Sequence, residues 1–247
     1  MRKFALACVS MLAVSAIGFG AVAAKEAMGK PPAYIFTALG DKDRPAADVA
    51  LDPMRKPADT IAFAHVRPGD MVAELLPGGG YFTHILADVV GPNGHVYAVT
   101  SDKGVARIQA VLDAHKNVTA VTGAVDAPVL PEGLDVVWTT QNYHDLHNDG
   151  RSPAKVNEAA FKALKPGGVY FVLDHAAAPG SGLRDTDTLH RIDPAIVKSE
   201  VEAAGFQLEA EGEFLRNPED DHTLKVFDDK IRHKTDQFLF RFRKPKR

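Results

Sequence analysis

The stretch Thr139-Thr-Gln-Asn-Tyr-His-Asp-Leu-His147 gathers side chains that donate, accept and move protons. It follows directly on Leu134-Asp-Val-Val-Trp-Thr139, an apolar run that reads as a strand. An unperturbed imidazole titrates near neutral pH, so His144 can exchange a proton under ordinary conditions, with Asp145 beside it. Further His and acid groups follow in Asp174-His175, in Asp185-Thr-Asp-Thr-Leu-His-Arg-Ile-Asp193, which carries His190 and Arg191, and in Asn217-Pro-Glu-Asp-Asp-His222.

A second informative stretch is Asp70-Met-Val-Ala-Glu-Leu-Leu-Pro-Gly-Gly-Gly-Tyr81. A short apolar run passes through three glycines, and Phe82, Ile85, Leu86, Val89 and Val90 then recur at helical spacing. The pattern predicts strand, tight turn and helix. Glycines there permit positive φ and carry no Cβ, so backbone N–H groups at the helix start can face a bound polar group closely. A nucleoside-type cofactor suits such a turn, and close packing of helix on strand without a ligand is the plainer alternative.

These stretches need a frame to hold them. His95–Thr100, Val118–Val121, Leu134–Thr139 and Val169–Asp174 read as further strands, separated by helical patterns around Val105 to Leu112 and from Pro153 to Leu164. Asp193-Pro194 opens another helix through Ala204. Such alternation predicts a parallel, doubly wound sheet. The ending differs, because Gly205-Phe-Gln-Leu-Glu and Phe238-Leu-Phe-Arg-Phe242 have no helical pattern between them and should pair antiparallel. Phe238, Phe240 and Phe242 alternate as strand core. In open α/β sheets ligands bind beyond the carboxyl ends of the strands, which is where the polar stretches fall.

The acid and glycines of the first strand-turn-helix resemble motif I of the class I S-adenosylmethionine-dependent methyltransferases, D/E-x-G-x-G-x-G. Glu74 takes the acid position, Gly78 and Gly80 the second and third glycines, and Leu76 stands in place of the first. The run Glu-x-x-Pro-Gly-Gly-Gly-Tyr is similar to a branch of exported bacterial methyltransferases. The resemblance extends from about Pro57 to Pro245. It implies a Rossmann-like seven-stranded α/β fold, doubly wound and mostly parallel with the last strand antiparallel. It also implies S-adenosyl-L-methionine as cofactor and methyl transfer to an O, N or S nucleophile of a small molecule.

Carried onto this chain, the resemblance assigns cofactor binding to Glu74, Pro77, Gly78, Gly79, Gly80 and Tyr81, with Arg55 placed to cover the pocket. Thr100 holds the strand-tip place that usually carries a ribose-binding acid, with Asp102 just beyond it, and Asp126 is the candidate for the adenine amine. Asn142 would position the methionine part or the substrate. His144 becomes the general base, Asp145 orients it or acts in its place, Tyr143 packs on the ligand, and His175 joins them as a catalytic candidate. The small-residue loop Ala176–Gly182 would fold over the substrate side and exclude water.

At the amino end, Met1-Arg2-Lys3, an apolar run to about Phe19 and Ala-x-Ala spacing predict a secretory signal peptide over residues 1–24. The apolar core is too short for a comfortable span. Residues 25–56, rich in Pro, Ala and charge, read as an extended arm with one helical turn, and 57–247 as a single methyltransferase-like domain. Signal cleavage removes Cys8, the only cysteine, so the mature chain has no thiol or disulfide chemistry. It also removes Arg2 and Lys3, taking Lys+Arg from 29 to 27 against 32 acids and the formal charge from −3 to −5. That charge argues against nucleic acid as a partner. The expected location is periplasmic or secreted, without stable membrane insertion.

Two other readings stay open. One is an exported binding protein on a methyltransferase scaffold that has lost its cofactor, consistent with Leu76 and the displaced acids. The other is a metal site drawn from His144, His147, Asp174, His175, His190 and His222, whose ligand types suit zinc.

Overall fold

The computed structural model describes residues 24–25 and 29–246, so the expected signal peptide lies outside the described residues apart from Ala24. Seven strands build one sheet: β1 Met71–Leu75, β2 His95–Thr100, β3 Val118–Thr122, β4 Leu134–Thr140, β5 Leu164–His175, β6 Gln207–Gly212 and β7 Gln237–Arg243. Their spatial order is β3-β2-β1-β4-β5-β7-β6. β7 runs antiparallel to both β5 and β6, while β1 to β5 pair parallel throughout. The Rossmann-like sheet with its last strand antiparallel is therefore as the sequence pattern predicts. Ala24–Lys25 adds a two-residue parallel edge against β6.

Helices cover both faces, which is why the central strands are apolar on both sides. One core packs α4 (Pro57–Phe63) and α5 (Tyr81–Val90) over Val72, Trp138 and Phe171. The other packs α8 (Pro153–Ala163) and α9 (Pro194–Ala203) over Ala73, Val137, Tyr170 and Val172. Phe238, Phe240 and Phe242 are buried, as their alternation predicts. The interleaved Arg241 and Arg243 both pair with Glu209 on the neighbouring strand, at 2.6 Å for Arg241 Nε. They serve as an inter-strand clamp.

The segment expected to be an extended arm with one helical turn instead holds three short helices among its described residues. It contains α1 Ala33–Leu39, α2 Ala46–Val49 and α3 Asp52–Arg55, and Ile35 and Ala38 are buried against the domain. Its prolines mislead because they stand at helix starts: Pro32 and Pro45 precede α1 and α2, and Pro53 lies in the first turn of α3. A missing N–H costs nothing there. Buried Arg44 forks onto Asp52 at 2.7 and 2.9 Å, and Tyr81 Oη donates to the same carboxylate at 2.6 Å, bolting this segment to the start of α5. Between β2 and β3 lie α6 (Asp102–Val105) and α7 (Gln109–Ala114). Among the described residues no helix is long and apolar enough to cross a membrane.

Candidate functional site

The glycine turn joins β1 to α5. Leu76, standing where the motif has a glycine, adopts the left-handed conformation that a glycine would, with φ 55°. For a leucine that costs roughly 1–2 kcal/mol. The turn is held from two sides: Leu76 N–H donates to Val99 O at 2.9 Å, and Asn142 Nδ2 donates to the carbonyls of Leu75 and Leu76, each at 3.0 Å. Thr139 Oγ1 in turn donates to Asn142 Oδ1. Asn142 thus shapes the turn as well as lining the space beside it. A Cβ placed on Gly79 would meet no atom within 4 Å, so its backbone faces open space. Gly80 differs, since a Cβ there would lie 2.8 Å from Val111 Cγ2. Gly80 is needed for the packing of α5 against α7 and does not line the cavity, a correction to its expected place in the cofactor site.

Beyond the turn opens a cavity of about 630 Å³. Glu74, Leu76, Pro77, Gly78, Gly79 and Tyr81 form its floor, and Thr100, Val125, Gln141, Asn142 and Asp145 its far side. The helical segment that replaces the expected arm supplies a wall through Asp48, Leu51 and Arg55. The volume sits within the ~300–1,000 Å³ of small-molecule sites. Leu76 leaves this room open, its side chain packing partly against the apolar core.

Glu74 is buried and receives a 2.6 Å hydrogen bond from Thr83 Oγ1. Burial pushes its carboxyl up to about 7, against the opposing pull of Thr83 and Arg55. The Arg55 guanidinium carbon lies 4.4 Å from the Tyr81 ring centroid, and its Nε is buried with no hydrogen-bond partner among the described residues. A cation stacked on an aromatic face, beside a carboxyl poised near neutrality, gives this end of the cavity both signs of charge.

The strand tips correct two expectations. Asp102 is exposed in the first turn of α6 and does not line the cavity; Thr100 and Ser101 do, with Lys103 and Arg107 at the same rim. The turn that would bring Asp102 back is taken by Ser101, whose hydroxyl caps Gly104 N–H at 3.3 Å. Asp126 also falls outside the lining, where Val125 presents an apolar wall instead. Sequence reasoning missed Lys103, Arg107, Gln141 and Arg151 as lining residues. Gln141 alone left a trace, since it lies within the polar stretch singled out above.

At the end of β4, Asp145 reaches the cavity and His144 stands behind it. His144 Nδ1 lies 2.9 Å from Asp174 Oδ1, and its Nε2 lies 3.2 Å from His190 Nδ1 and 3.5 Å from Asp145 Oδ1. Asp174 is fully buried and also accepts the main-chain N–H groups of His144 and His175, both at 2.7 Å. Burial pulls the His144 imidazole down, but Asp174 and, more distantly, Asp145 outweigh it and hold the ring above its ordinary value. Burial likewise pushes Asp174 up, and His144 with the N–H donors outweighs that to hold it low.

Two expected catalytic residues turn away. Tyr143 is buried, with its hydroxyl donating to Glu200 at 3.0 Å and accepting from Asn157 at 2.8 Å, so it braces α8 and α9 instead of packing on a ligand. His175 is buried with Nδ1 2.7 Å from Thr235 Oγ1. Burial drives its pKa down to about 3, leaving a neutral ring away from the cavity. Of the residues weighed for a metal, His147 goes to Glu200 at 3.1 Å and His222 to Asp236 at 3.0 Å. His144, Asp145 and His190 do converge, with one donor atom from each lying within 4.8 Å of the others.

The loops do meet at this rim. Arg191, fully buried, forks onto Asp220 at 2.8 and 3.0 Å and donates to Ala176 O, which ties the β5–α9 loop to the connection before β7. His190 lies against His144, and no residue of the loop 176–182 lines the cavity.

No family model matches the chain. A SAM-dependent methyltransferase from Aquifex aeolicus superposes with a TM-score of 0.59 at 18% identity, covering 85% of this chain and 96% of that one. The fold is that of the class I methyltransferases. Sequence relatives of this methyltransferase-fold chain point the same way. A protein-L-isoaspartate O-methyltransferase from Ignicoccus hospitalis is 28% identical over 161 residues, 60% of this chain and 71% of the relative. A ubiquinone/menaquinone biosynthesis C-methyltransferase from Burkholderia mallei is 30% identical over 120 residues, and the match spans about half of either protein, 47% and 48%.

Proposed function

We propose that this protein is an S-adenosylmethionine-dependent methyltransferase acting on a small-molecule nucleophile, exported through its amino-terminal signal. The observation that carries the reading is the open cavity at Leu76–Gly79, where the turn is pinned by Asn142 and no side chain fills the space over Gly79. Methyltransferase relatives and the shared fold support it. The negative net charge expected of the mature chain and the two arginines clamped by Glu209 favour a small acceptor over a nucleic acid.

The donor set fits an adenosyl sulfonium with an amino-acid tail. Glu74 offers a buried carboxyl for the cationic ammonium, and Arg55 a counter-charge for the carboxylate. Thr100 and Ser101 offer hydroxyls where ribose hydroxyls would lie, and Val125 an apolar face for the base. When bound, the cofactor supplies a methyl group on a positively charged sulfur, open to displacement by an electron pair. The protein's own part is to hold the acceptor in line and to take its proton.

Asp145 faces the cavity and His144 Nε2 lies 3.5 Å behind it, so a proton leaving the acceptor passes to Asp145, with His144 Nε2 next in line. Asp174 fixes the ring through Nδ1 and stabilises the imidazolium that results. The buried Arg191–Asp220 pair keeps the loop bearing His190 over this edge.

The test is transfer of labelled methyl from S-adenosylmethionine into a small-molecule extract from the source cell envelope. Wild type should label a discrete product, and Gly79→Leu, which puts a side chain into the cavity, should not. Label incorporated equally by both proteins would overturn the reading.

A further inference from the structure

Away from the cavity, on the outer side of α5, a second group of histidines and aspartates converges from three elements. His84 and Asp88 are four residues apart on α5 and so share one helix face. Asp41 comes from the turn after α1, and His115 from the carboxyl end of α7. One donor atom from each of the four lies within 4.8 Å of all the others. His84 Nε2 is 2.8 Å from Asp41 Oδ2 and 3.7 Å from Asp88 Oδ2, and His115 Nδ1 is 3.6 Å from Asp88 Oδ1. The two rings meet edge to face with centroids 4.4 Å apart.

A hydrogen-bonded network alone does not account for this arrangement. Asp88 Oδ2, 3.7 Å from His84 Nε2, is buried and has no hydrogen-bond partner among the described residues. Two carboxylates, Asp41 and Asp88, are also drawn together, with His84 Nε2 within 3.7 Å of both. Unpaired buried polar atoms are costly, and native structures seldom tolerate them without a missing partner.

We infer that Asp41, His84, Asp88 and His115 form a structural zinc site. Two imidazole nitrogens and two carboxylate oxygens are ligand types that zinc takes, whereas calcium and magnesium favour all-oxygen shells. Donors 2.0–2.2 Å from a tetrahedral ion stand roughly 3.3–3.6 Å apart. The measured 2.8, 3.6 and 3.7 Å separations lie close to that spacing, and one donor atom from each residue lies within 4.8 Å of the others. Four protein ligands leave no open position, which marks a structural role and not a catalytic one. The ion would clamp the turn at Asp41 to α5. That turn leads into the Arg44–Asp52–Tyr81 bolt and the cavity wall at Arg55.

The experiment is zinc titration by calorimetry on the purified chain after chelation and dialysis, with bound metal counted by mass spectrometry. One zinc per chain is expected, weakened at least about a hundredfold in His115→Gln and in Asp41→Asn. Asp41 sits on a partly exposed turn, so Asp41→Asn keeps the test valid if His115→Gln misfolds. Zinc should also slow tryptic cleavage at the exposed Lys42. The inference is overturned if no zinc binds at millimolar concentration, or if stoichiometric zinc survives both substitutions. It is equally overturned if the ion is lost only from His190→Gln, which would place it at the cavity edge instead.

Discussion

The cluster at His144 and the cluster at His84 use the same two side-chain types to opposite ends. At His144 the protein itself completes the network: Asp174 accepts from the ring and from two main-chain N–H groups, and His190 faces the other nitrogen. At His84 the network stops short, with Asp88 Oδ2 unpartnered. A closed network of fixed donors decides where a proton resides. An open one with matched ligand atoms has room for a cation. The difference lies in the number of fixed donors: Asp174 accepts two main-chain N–H groups besides the ring, whereas Asp41 accepts one, from Asp43, and Asp88 Oδ2 none.

The largest effect should come from breaking the closed network. Asp174→Ala leaves a buried imidazole and two N–H groups without their acceptor, and should cost about 3–5 kcal/mol in urea unfolding. Asp41→Asn in metal-free protein, at a partly exposed pair, should cost under about 1 kcal/mol. Equal costs would erase the contrast.

Next comes pH. His144 is held above its ordinary 6.5, so the stability it contributes is complete below that value and is lost as pH rises through the raised one. Asp174 is held below 3.8, so its contribution is present above that value and is lost as pH falls through the lowered one. The wild-type advantage in urea midpoint over Asp174→Asn should therefore be largest between these two ordinary values and shrink on either side. Because the base must be neutral to act, kcat/KM should rise with pH through an inflection above 6.5, moving below it in Asp174→Asn.

A smaller effect belongs to Glu74, which must ionise to receive a cationic group. With its carboxyl at about 7, affinity for S-adenosylhomocysteine should strengthen by about tenfold from pH 6 to pH 8. Calorimetry in buffers of different ionisation enthalpy should show proton uptake by the buffer, and both signs should vanish in Glu74→Gln. Smallest of all, Leu76→Gly trades relief of a left-handed leucine against lost packing, and should change stability by less than about 1 kcal/mol.

Much of this was legible in the chain because it rests on local periodicity. β2 begins and ends at His95 and Thr100 as its alternation indicates, and the antiparallel ending follows from the missing helix between the last two strands. The arm was misread because proline punctuates helix starts as readily as it breaks helices, and only the tertiary contacts of Ile35 and Arg44 decide between them. Tyr143 looked like a ligand contact, yet its partners Asn157 and Glu200 come from α8 and α9. The His84 cluster had a local trace in His84-x-x-x-Asp88. Its other two members come from distant segments, so the trace alone carried no geometry.

The most direct test of the cavity's role is binding of S-adenosylhomocysteine to the purified protein, measured for wild type and Gly79→Leu. One molecule should bind wild type with micromolar affinity, and the variant should bind at least about a hundredfold more weakly at an unchanged unfolding temperature. Wild-type protein that binds nothing at millimolar ligand, or a variant that binds as tightly as wild type, would contradict the account.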